Sequence, residues 1–68
     1  MQLVEIQLAD GAKTYINPIH VVSVSAPKAG DTEIHLDQPA HGGGHLIIRT
    51  KEAPDAVQAR ISNGLKNQ

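Results

Sequence analysis

The sequence predicts an α+β fold that is mainly β: a small antiparallel β-meander of four to five strands with one C-terminal helix packed on the sheet. Two observations predict it. Apolar and polar residues alternate in short segments between residues 3 and 50, and a period of two is typical of half-buried strands. After residue 52 the apolar residues recur at every fourth position, as in an amphipathic helix.

We expect a single domain over residues 1–68. No internal repeat, low-complexity segment or second domain is visible in the pattern. The predicted strands span about residues 3–8, 13–16, 20–25, 32–37 and 45–50, and the predicted helix spans about residues 54–63.

Turn residues separate the predicted strands. Asp10-Gly11 follows the first strand, and an Asp-Gly pair favours a tight hairpin turn because glycine accepts a positive φ without a steric cost. Asn17-Pro18 ends the second strand, since proline donates no ladder hydrogen bond. Pro27 is expected to close the third strand for the same reason.

Side-chain alternation predicts an inner face for each later strand. In the third strand Val22 and Val24 are predicted to share one face. In the fourth strand Ile34 and Leu36 are expected inside, opposite the polar residues of that strand. Ile47 lies on the face opposite its apolar neighbours, so the fifth strand is expected to be covered on both sides.

The C-terminal segment carries several helix signals. Val57, Ile61 and Leu65 fall on one stripe of a helix. Pro54 suits the first helical turn, and Gly64 is expected to cap the helix end. The apolar stripe is predicted to lie on the sheet.

Composition limits the classes of function. The chain has six Lys or Arg, seven Asp or Glu and no cysteine. Its net charge of −1 disfavours a nucleic-acid binder, which would be expected to carry a clustered basic surface. No apolar run approaches the roughly 20 residues of a membrane span, and the start does not follow the pattern of a secretion signal. We expect a cytoplasmic protein with no membrane partner.

Self-association is expected because the core is small. The chain has one Tyr and neither Phe nor Trp, so its burial of apolar surface only narrowly offsets the entropy cost of folding. Small domains without disulfides or metals often bury their remaining apolar surface against a copy of themselves. The predicted interface positions are Leu3, Val21 and Ile47.

Three segments of the chain share a spacing pattern with a known family. The pattern comprises Leu8-x-x-Gly11-x-x-x-Tyr15-Ile16-Asn17-Pro18, then Val21 to Val24, then Asp31-Thr32-x-Ile34-x-Leu36. It resembles the small FlbD-type flagellar and swarming-motility proteins, best over residues 3–36 and loosely over residues 46–61. The resemblance implies a cytoplasmic, non-enzymatic accessory protein and supplies no catalytic residue.

Three consecutive glycines are the most distinctive local feature. Without Cβ atoms, successive backbone N–H groups can point into one concavity that binds an anion or phosphate. No Gly-Lys-Ser or Gly-Lys-Thr follows, so the segment is not a P-loop. A flexible hairpin loop is the alternative interpretation. The predicted ligand-binding residues are Gly42, Gly43, Gly44, His45, Arg49 and Arg60.

Four histidines raise the question of a metal site. His41 and His45 lie at the two ends of the glycine loop, and His35 is a third candidate if it projects toward the same edge. No cysteine or fixed carboxylate partner is evident in the pattern. We therefore expect solvated loop histidines, with no metal ion and no cofactor.

Catalysis is the class of function with the least support. Ser23 and Ser25 lie in a strand, and neither has the strand-turn-helix context of a hydrolase nucleophile. Their nearness to His20 in the sequence does not make a catalytic pair, because neighbouring residues in a strand point to opposite faces. Glu33 and Asp37 share a face but lie about 13 Å apart along a strand. That separation is too large for a carboxylate pair that holds one water. We expect no enzyme.

Two hypotheses from different classes remain. The first is a protein-interaction adaptor, similar to FlbD-type accessory proteins, that acts through homo-oligomer and sheet-edge contacts. The second is an oligomeric protein that sequesters a phosphorylated, nucleotide-like small molecule, by analogy with phage anti-defence proteins. Both require a homo-oligomer, because a short chain has apolar surface to bury and too few walls for a pocket of its own.

Overall fold

The computed structural model describes residues 3–66 as two antiparallel sheets, a 3-10 turn and a helix. The elements are β1 (Val4–Gln7), β2 (Lys13–Ile16), the 3-10 turn (Pro18–His20), β3 (Val21–Lys28), β4 (Asp31–Pro39), β5 (His45–Thr50) and α1 (Pro54–Lys66). β1 pairs with β2, and β3, β4 and β5 form a three-stranded meander. The predicted α+β, mainly β, class is confirmed, with the strands divided between two sheets.

The core lies between the two sheets and the helix. Its buried apolar residues are Val4, Ile6, Ile16, Ile34, Leu36, Val57 and Ile61, and its half-buried ones are Val21, Val24, Leu46 and Ile48. α1 contacts β1, β3 and the 3-10 turn. The inner face predicted for β4 is therefore confirmed, and the helix covers the core from the side of β1 and β3.

The turn between β1 and β2 spans residues 8–12. The Leu8 N–H donates to the Ala12 carbonyl (2.6 Å), and the Gly11 N–H donates to the Leu8 carbonyl (2.9 Å). The Asp10 carboxylate accepts from the Ala12 N–H (2.9 Å), and Gly11 has a φ of 94°. The Asp-Gly pair thus lies in the turn where it was predicted, within a longer loop.

β3 contains a bulge that the alternation of its sequence does not reveal. Its ladder to β4 shifts between Val21 and Ser23. As a result Val21 and Val24 pack against the core, while Val22 is 68% exposed. The prediction that Val22 and Val24 share one face is wrong, because an extra residue in a bulge breaks the period of two.

β3 also continues through Pro27 and ends at Lys28. The expectation that Pro27 closes this strand is therefore wrong. β3 is an edge strand of its sheet, and proline is tolerated in an edge strand because one side of the strand needs no ladder hydrogen bond. A second register shift lies between Ser25 and Lys28.

Gly64 lies inside α1 and is buried, so the expectation that it caps the helix end is wrong. A Cβ at this position would lie 2.7 Å from Val4 Cγ2 and 3.1 Å from Pro18 Cγ. Glycine therefore allows the helix to approach β1 and the 3-10 turn closely. Leu65, which is predicted on the buried stripe, is 44% exposed.

We expect Gly64→Ala to destabilise the fold. Alanine favours a helix over glycine by about 1 kcal/mol, but overpacking a tight contact typically costs about 1–3 kcal/mol. Urea denaturation at one protein concentration measures the difference. The matched test makes Gly64→Ala in a chain that already carries Val4→Ala, which removes the clashing Cγ2. The loss of stability caused by Gly64→Ala should be smaller in that background. An equal penalty in both backgrounds would contradict the proposed contact.

A set of polar contacts, which we call the Thr50–Glu52 node, connects the two sheets. Within residues 3–66 no strand ladder joins them. The buried Thr50 hydroxyl donates to the Gln7 carbonyl (2.6 Å) and accepts from the Glu52 N–H (3.2 Å). The buried Thr32 hydroxyl donates to the Glu52 carbonyl (2.7 Å). Residues from β1, β4 and β5 therefore meet at this node.

The Glu52 side chain extends the node to the helix. Its carboxylate binds the Arg60 guanidinium through two contacts of 2.7 and 2.9 Å, the paired geometry that suits an arginine and a carboxylate. Arg60 also donates to the Glu5 carbonyl (3.2 Å). These contacts attach α1 to β1 and to the segment that follows β5.

Thr50→Val should destabilise the protein by about 1–3 kcal/mol, because it keeps the shape of the side chain but removes two hydrogen bonds, to the Gln7 carbonyl and from the Glu52 N–H, and each such bond contributes about 0.5–1.5 kcal/mol. Thr14→Val, at a half-buried position on β2, is the matched control and should change stability much less. Urea denaturation of both variants measures the difference. Equal effects of the two substitutions would count against the node.

Candidate functional site

Five polar side chains gather on the face of the β3–β4–β5 sheet that points away from the core. The ladder places Ser25 opposite Glu33 and Glu33 opposite Arg49. His35 and His45 lie beside them on β4 and β5. We call this group of Ser25, Glu33, His35, His45 and Arg49 the histidine cluster.

Direct contacts link the members of the histidine cluster. His35 Nδ1 lies 2.9 Å from His45 Nε2, and the two ring centroids are 5.2 Å apart. On the other side of its ring, His35 Nε2 lies 3.3 Å from Ser25 Oγ and 3.4 Å from Glu33 Oε1. Arg49 Nε donates to Glu33 Oε2 (3.3 Å). The cluster is therefore a chain of contacts from Arg49 to His45.

The pairing of His35 with His45 differs from the pairing that the sequence favours. His45 lies opposite Pro39, and His35 lies opposite Ile47, with a register shift between the two pairs. This shift brings the histidine rings together diagonally across two strands. His41 is exposed in the loop. Among residues 3–66, no three or more His, Asp and Glu side chains form a group that could hold a metal ion.

The three glycines form the connection between β4 and β5. All three have positive φ values, of 94°, 112° and 70° for Gly42, Gly43 and Gly44, which explains why glycine occupies each position. The Ala40 N–H donates to the Gly44 carbonyl (3.0 Å), and the Gly43 N–H donates to the Ala40 carbonyl (3.1 Å). These bonds close the hairpin.

The predicted ligand-binding residues occupy three places in one chain. The glycines and His45 lie at the β4–β5 connection. Arg49 lies on the same strand as His45 but about 13 Å farther along it, where it contacts Glu33. Arg60 lies on α1 in the Thr50–Glu52 node. One chain does not bring these residues together. Their binding of one small ligand therefore stays a prediction, and it requires residues from more than one chain.

A groove of about 280 Å³ opens between β2 and β5, and we call it the β2–β5 groove. Half-buried Leu46 and Ile48 form part of its lining. Leu3 and Tyr15 also line it and are 51% and 61% exposed. The groove is thus a place where the apolar core reaches the surface.

The predicted interface residues do not share one surface. Leu3 lines the β2–β5 groove. Val21 packs against the core and lines a cavity of about 240 Å³ between β3 and α1. Ile47 is half-buried and pairs with His35 on the sheet face that carries the histidine cluster. A surface that includes Leu3 is therefore separate from one that includes Ile47.

His20 is the histidine nearest to Ser23 and Ser25 in the sequence, but the structure gives His20 and Ser25 other partners. His20 Nδ1 lies 2.9 Å from Asp37 Oδ1, whereas Ser25 contacts His35. The expectation that the chain is not an enzyme stays a prediction.

Asp31 forms a separate electrostatic group at the start of β4. Its carboxylate accepts a hydrogen bond from Lys51 and forms an ion pair with Lys28 (3.5 Å). The Lys51 ammonium in particular holds the pKa of Asp31 below its usual value of 3.8, and Lys28 adds to this effect while desolvation opposes it. Because the folded pKa is the lower one, the charged carboxylate stabilises the fold above about pH 3.8.

Asp31→Asn should lower the melting temperature at pH 7, and the difference from the unsubstituted chain should shrink as the pH falls below about 3.8, where the carboxylate takes up its proton. Thermal unfolding from pH 2 to pH 7 measures it. About 1 M salt at pH 7 should also reduce the difference, since the lysines are exposed. A difference that does not depend on pH would contradict the ion-pair explanation.

Comparison with known proteins adds no assignment. No protein-family model, no curated protein and no solved structure matches the chain. The resemblance to FlbD-type proteins therefore stays a prediction. No helix within residues 3–66 is long and apolar enough to cross a membrane.

Proposed function

We propose that this chain is a non-enzymatic protein-interaction module that forms a homo-oligomer through the β2–β5 groove. The observation that carries the proposal is the open side of the core at this groove. Leu46 and Ile48 belong to the core but are only half-buried, and Leu3 and Tyr15 expose about half or more of their surface beside them. Covering these side chains would remove apolar surface from water.

The edge of β2 supports the same proposal. Within residues 3–66 β2 pairs with β1 alone, so its other edge carries backbone groups that can pair with a strand. An antiparallel pair of two β2 strands is self-complementary across a two-fold axis, the commonest symmetry of homo-oligomers. A second copy would therefore pair with the open edge of β2 and also cover the apolar side chains of the β2–β5 groove.

The resemblance to FlbD-type proteins points in the same direction. It implies a cytoplasmic accessory protein without a catalytic residue, and a homo-oligomer that docks a protein partner fits that role. The alternative is an oligomer that sequesters a phosphorylated small molecule. Native mass spectrometry before and after denaturation distinguishes the two, because the alternative requires a defined small mass that is lost on denaturation.

Tyr15→Lys should shift the protein toward the monomer. Lysine at a strand edge opposes strand pairing, because its charge would be buried in the pair. Val22→Lys is the matched control: it places the same charge on another exposed apolar position, on β3, and should leave the oligomer intact. Analytical ultracentrifugation from about 1 to 100 μM, with circular dichroism to verify folding, measures both variants.

The expected result is an oligomer for the unsubstituted chain and for Val22→Lys. The dissociation constant of the oligomer should be at least about tenfold higher for Tyr15→Lys, which corresponds to about 1.4 kcal/mol. A monomer throughout this concentration range for the unsubstituted chain would overturn the proposal. Loss of the oligomer in Val22→Lys alone would assign the interface to β3 and would overturn the part given to the β2–β5 groove.

A further inference from the structure

Two imidazole rings share one hydrogen bond on the outer face of the β4–β5 hairpin. His35 Nδ1 lies 2.9 Å from His45 Nε2, and the ring centroids are 5.2 Å apart, so the two nitrogens meet head-on. We propose that this bond, which we call the His35–His45 latch, is sensitive to pH: it holds the end of the hairpin closed at neutral pH and opens when both rings are positively charged. The latch is a property of one chain and does not depend on the proposed oligomer.

The latch tolerates one added proton but not two. A neutral imidazole has one N–H donor and one acceptor nitrogen, whereas an imidazolium has two donors. When one ring is charged, it donates to the neutral ring, and such a charge-assisted hydrogen bond is stronger than a neutral one. When both rings are charged, both facing nitrogens carry a hydrogen, so the bond is lost and the like charges repel.

The groups beside His35 assign the donor and the acceptor. His35 Nε2 lies 3.4 Å from Glu33 Oε1 and 3.3 Å from Ser25 Oγ. A carboxylate oxygen can only accept, so it favours a proton on Nε2 and leaves His35 Nδ1 as the acceptor for the N–H of His45. The first added proton therefore goes to His45 Nδ1, outside the bond. The second has to go to His35 Nδ1 and breaks the bond.

The charged groups near the two rings come from β4 and β5. Glu33 attracts a positive charge on His35, and Arg49, which binds the other oxygen of Glu33 at 3.3 Å, offsets that attraction. Asp37, also on β4, is bound by His20 at 2.9 Å. Histidine ordinarily changes its charge between about pH 5 and pH 8, a range in which Asp and Glu stay mostly charged. Acid in this range therefore acts on the histidines and on none of these other groups.

The segment that the latch holds is the irregular end of the hairpin. The ladder between β4 and β5 shifts register between His35 and Pro39, and the two histidines lie on either side of this shift. Beyond it, two backbone hydrogen bonds of 3.0 and 3.1 Å close the glycine loop. A segment held by few bonds opens locally at a small cost in free energy. Because the closed latch binds one proton fewer than the open one, its stability falls as the pH falls.

The inner face of the same hairpin end lines the β2–β5 groove. Leu36 follows His35 in the chain, Leu46 follows His45, and both leucines line the groove. Opening of the latch therefore disturbs one wall of the groove, and we expect acid to weaken the oligomer, a consequence that rests on the proposed function. His20 also lines the groove, but its partner is a carboxylate, and protonation strengthens a histidine–carboxylate pair.

A double-mutant cycle tests the latch. Urea denaturation of His35→Ala, His45→Ala and the double variant at pH 8 and pH 5 gives the coupling between the two rings. We expect a favourable coupling at pH 8 that falls by pH 5, by at least about a fivefold change in the folding equilibrium constant. His41→Ala with His45→Ala is the matched control cycle, because His41 is exposed in the loop, and it should show no coupling at either pH.

NMR of the ¹⁵N-labelled, unsubstituted chain is a second measurement that does not depend on the folding of any variant. At pH 8, Nδ1 of His35 should carry no proton, Nε2 of both rings should carry one, and a nuclear Overhauser effect should connect the rings. In acid, once all four ring nitrogens carry protons, this effect should disappear and the order parameters of the glycine-loop amides should fall.

Two results would overturn the latch. One is a coupling between His35 and His45 that is equal at pH 8 and pH 5, and the other is a ring-to-ring nuclear Overhauser effect that persists when all four nitrogens are protonated.

The consequence for the oligomer has its own measurement. Analytical ultracentrifugation at pH 8 and pH 5 compares the unsubstituted chain with His45→Gln, whose amide can donate a hydrogen bond and does not titrate. Acid should dissociate the unsubstituted oligomer more strongly than that of His45→Gln. An equal response of the two chains would overturn the link between latch and groove. A monomer at pH 8 would overturn the proposed function, and the double-mutant cycle would still decide on the latch.

Discussion

Polar contacts position the two sheets against each other, chiefly the Thr50–Glu52 node with the backbone hydrogen bond from the Ala9 N–H to the Arg49 carbonyl (3.1 Å), because within residues 3–66 no strand ladder joins the sheets. Two buried threonine hydroxyls and one carboxylate connect β1, β4, β5 and α1 there. Buried polar groups carry a penalty unless they are hydrogen-bonded. The node therefore also restricts how the hairpin of β1 and β2 can be placed, since a shift of the hairpin breaks the hydrogen bond from the buried Thr50 hydroxyl to the Gln7 carbonyl.

The position of α1 explains why the core has an open side. Gly64 lets the helix contact Val4 and Pro18 closely, so the helix covers the core beside β1 and β3. The β5 residues Leu46 and Ile48 remain half-buried at the β2–β5 groove. A chain of this size has one helix to place, and the side of the core away from that helix is the surface that the proposed oligomer covers.

The histidine cluster arises from strand register. The alternation of β4 is visible in the sequence and correctly predicts that Ile34 and Leu36 face the core, with Glu33 and His35 on the other face. The meeting of His35 with His45 is not visible there, because it depends on the register shift between β4 and β5. Spacing along the chain favours His41 as the partner of His45, whereas His41 is exposed in the loop.

The sequence by itself determined the types and order of the elements, the Asp-Gly turn and most of the core, because periodicity and turn residues are local properties of a chain. Only the tertiary structure decided that the strands form two sheets, that Val22 lies outside, that Gly64 is a packing contact and that His35 meets His45. Each of these features depends on a bulge, a register shift or a close approach between distant segments, and none of these leaves a local pattern in the sequence.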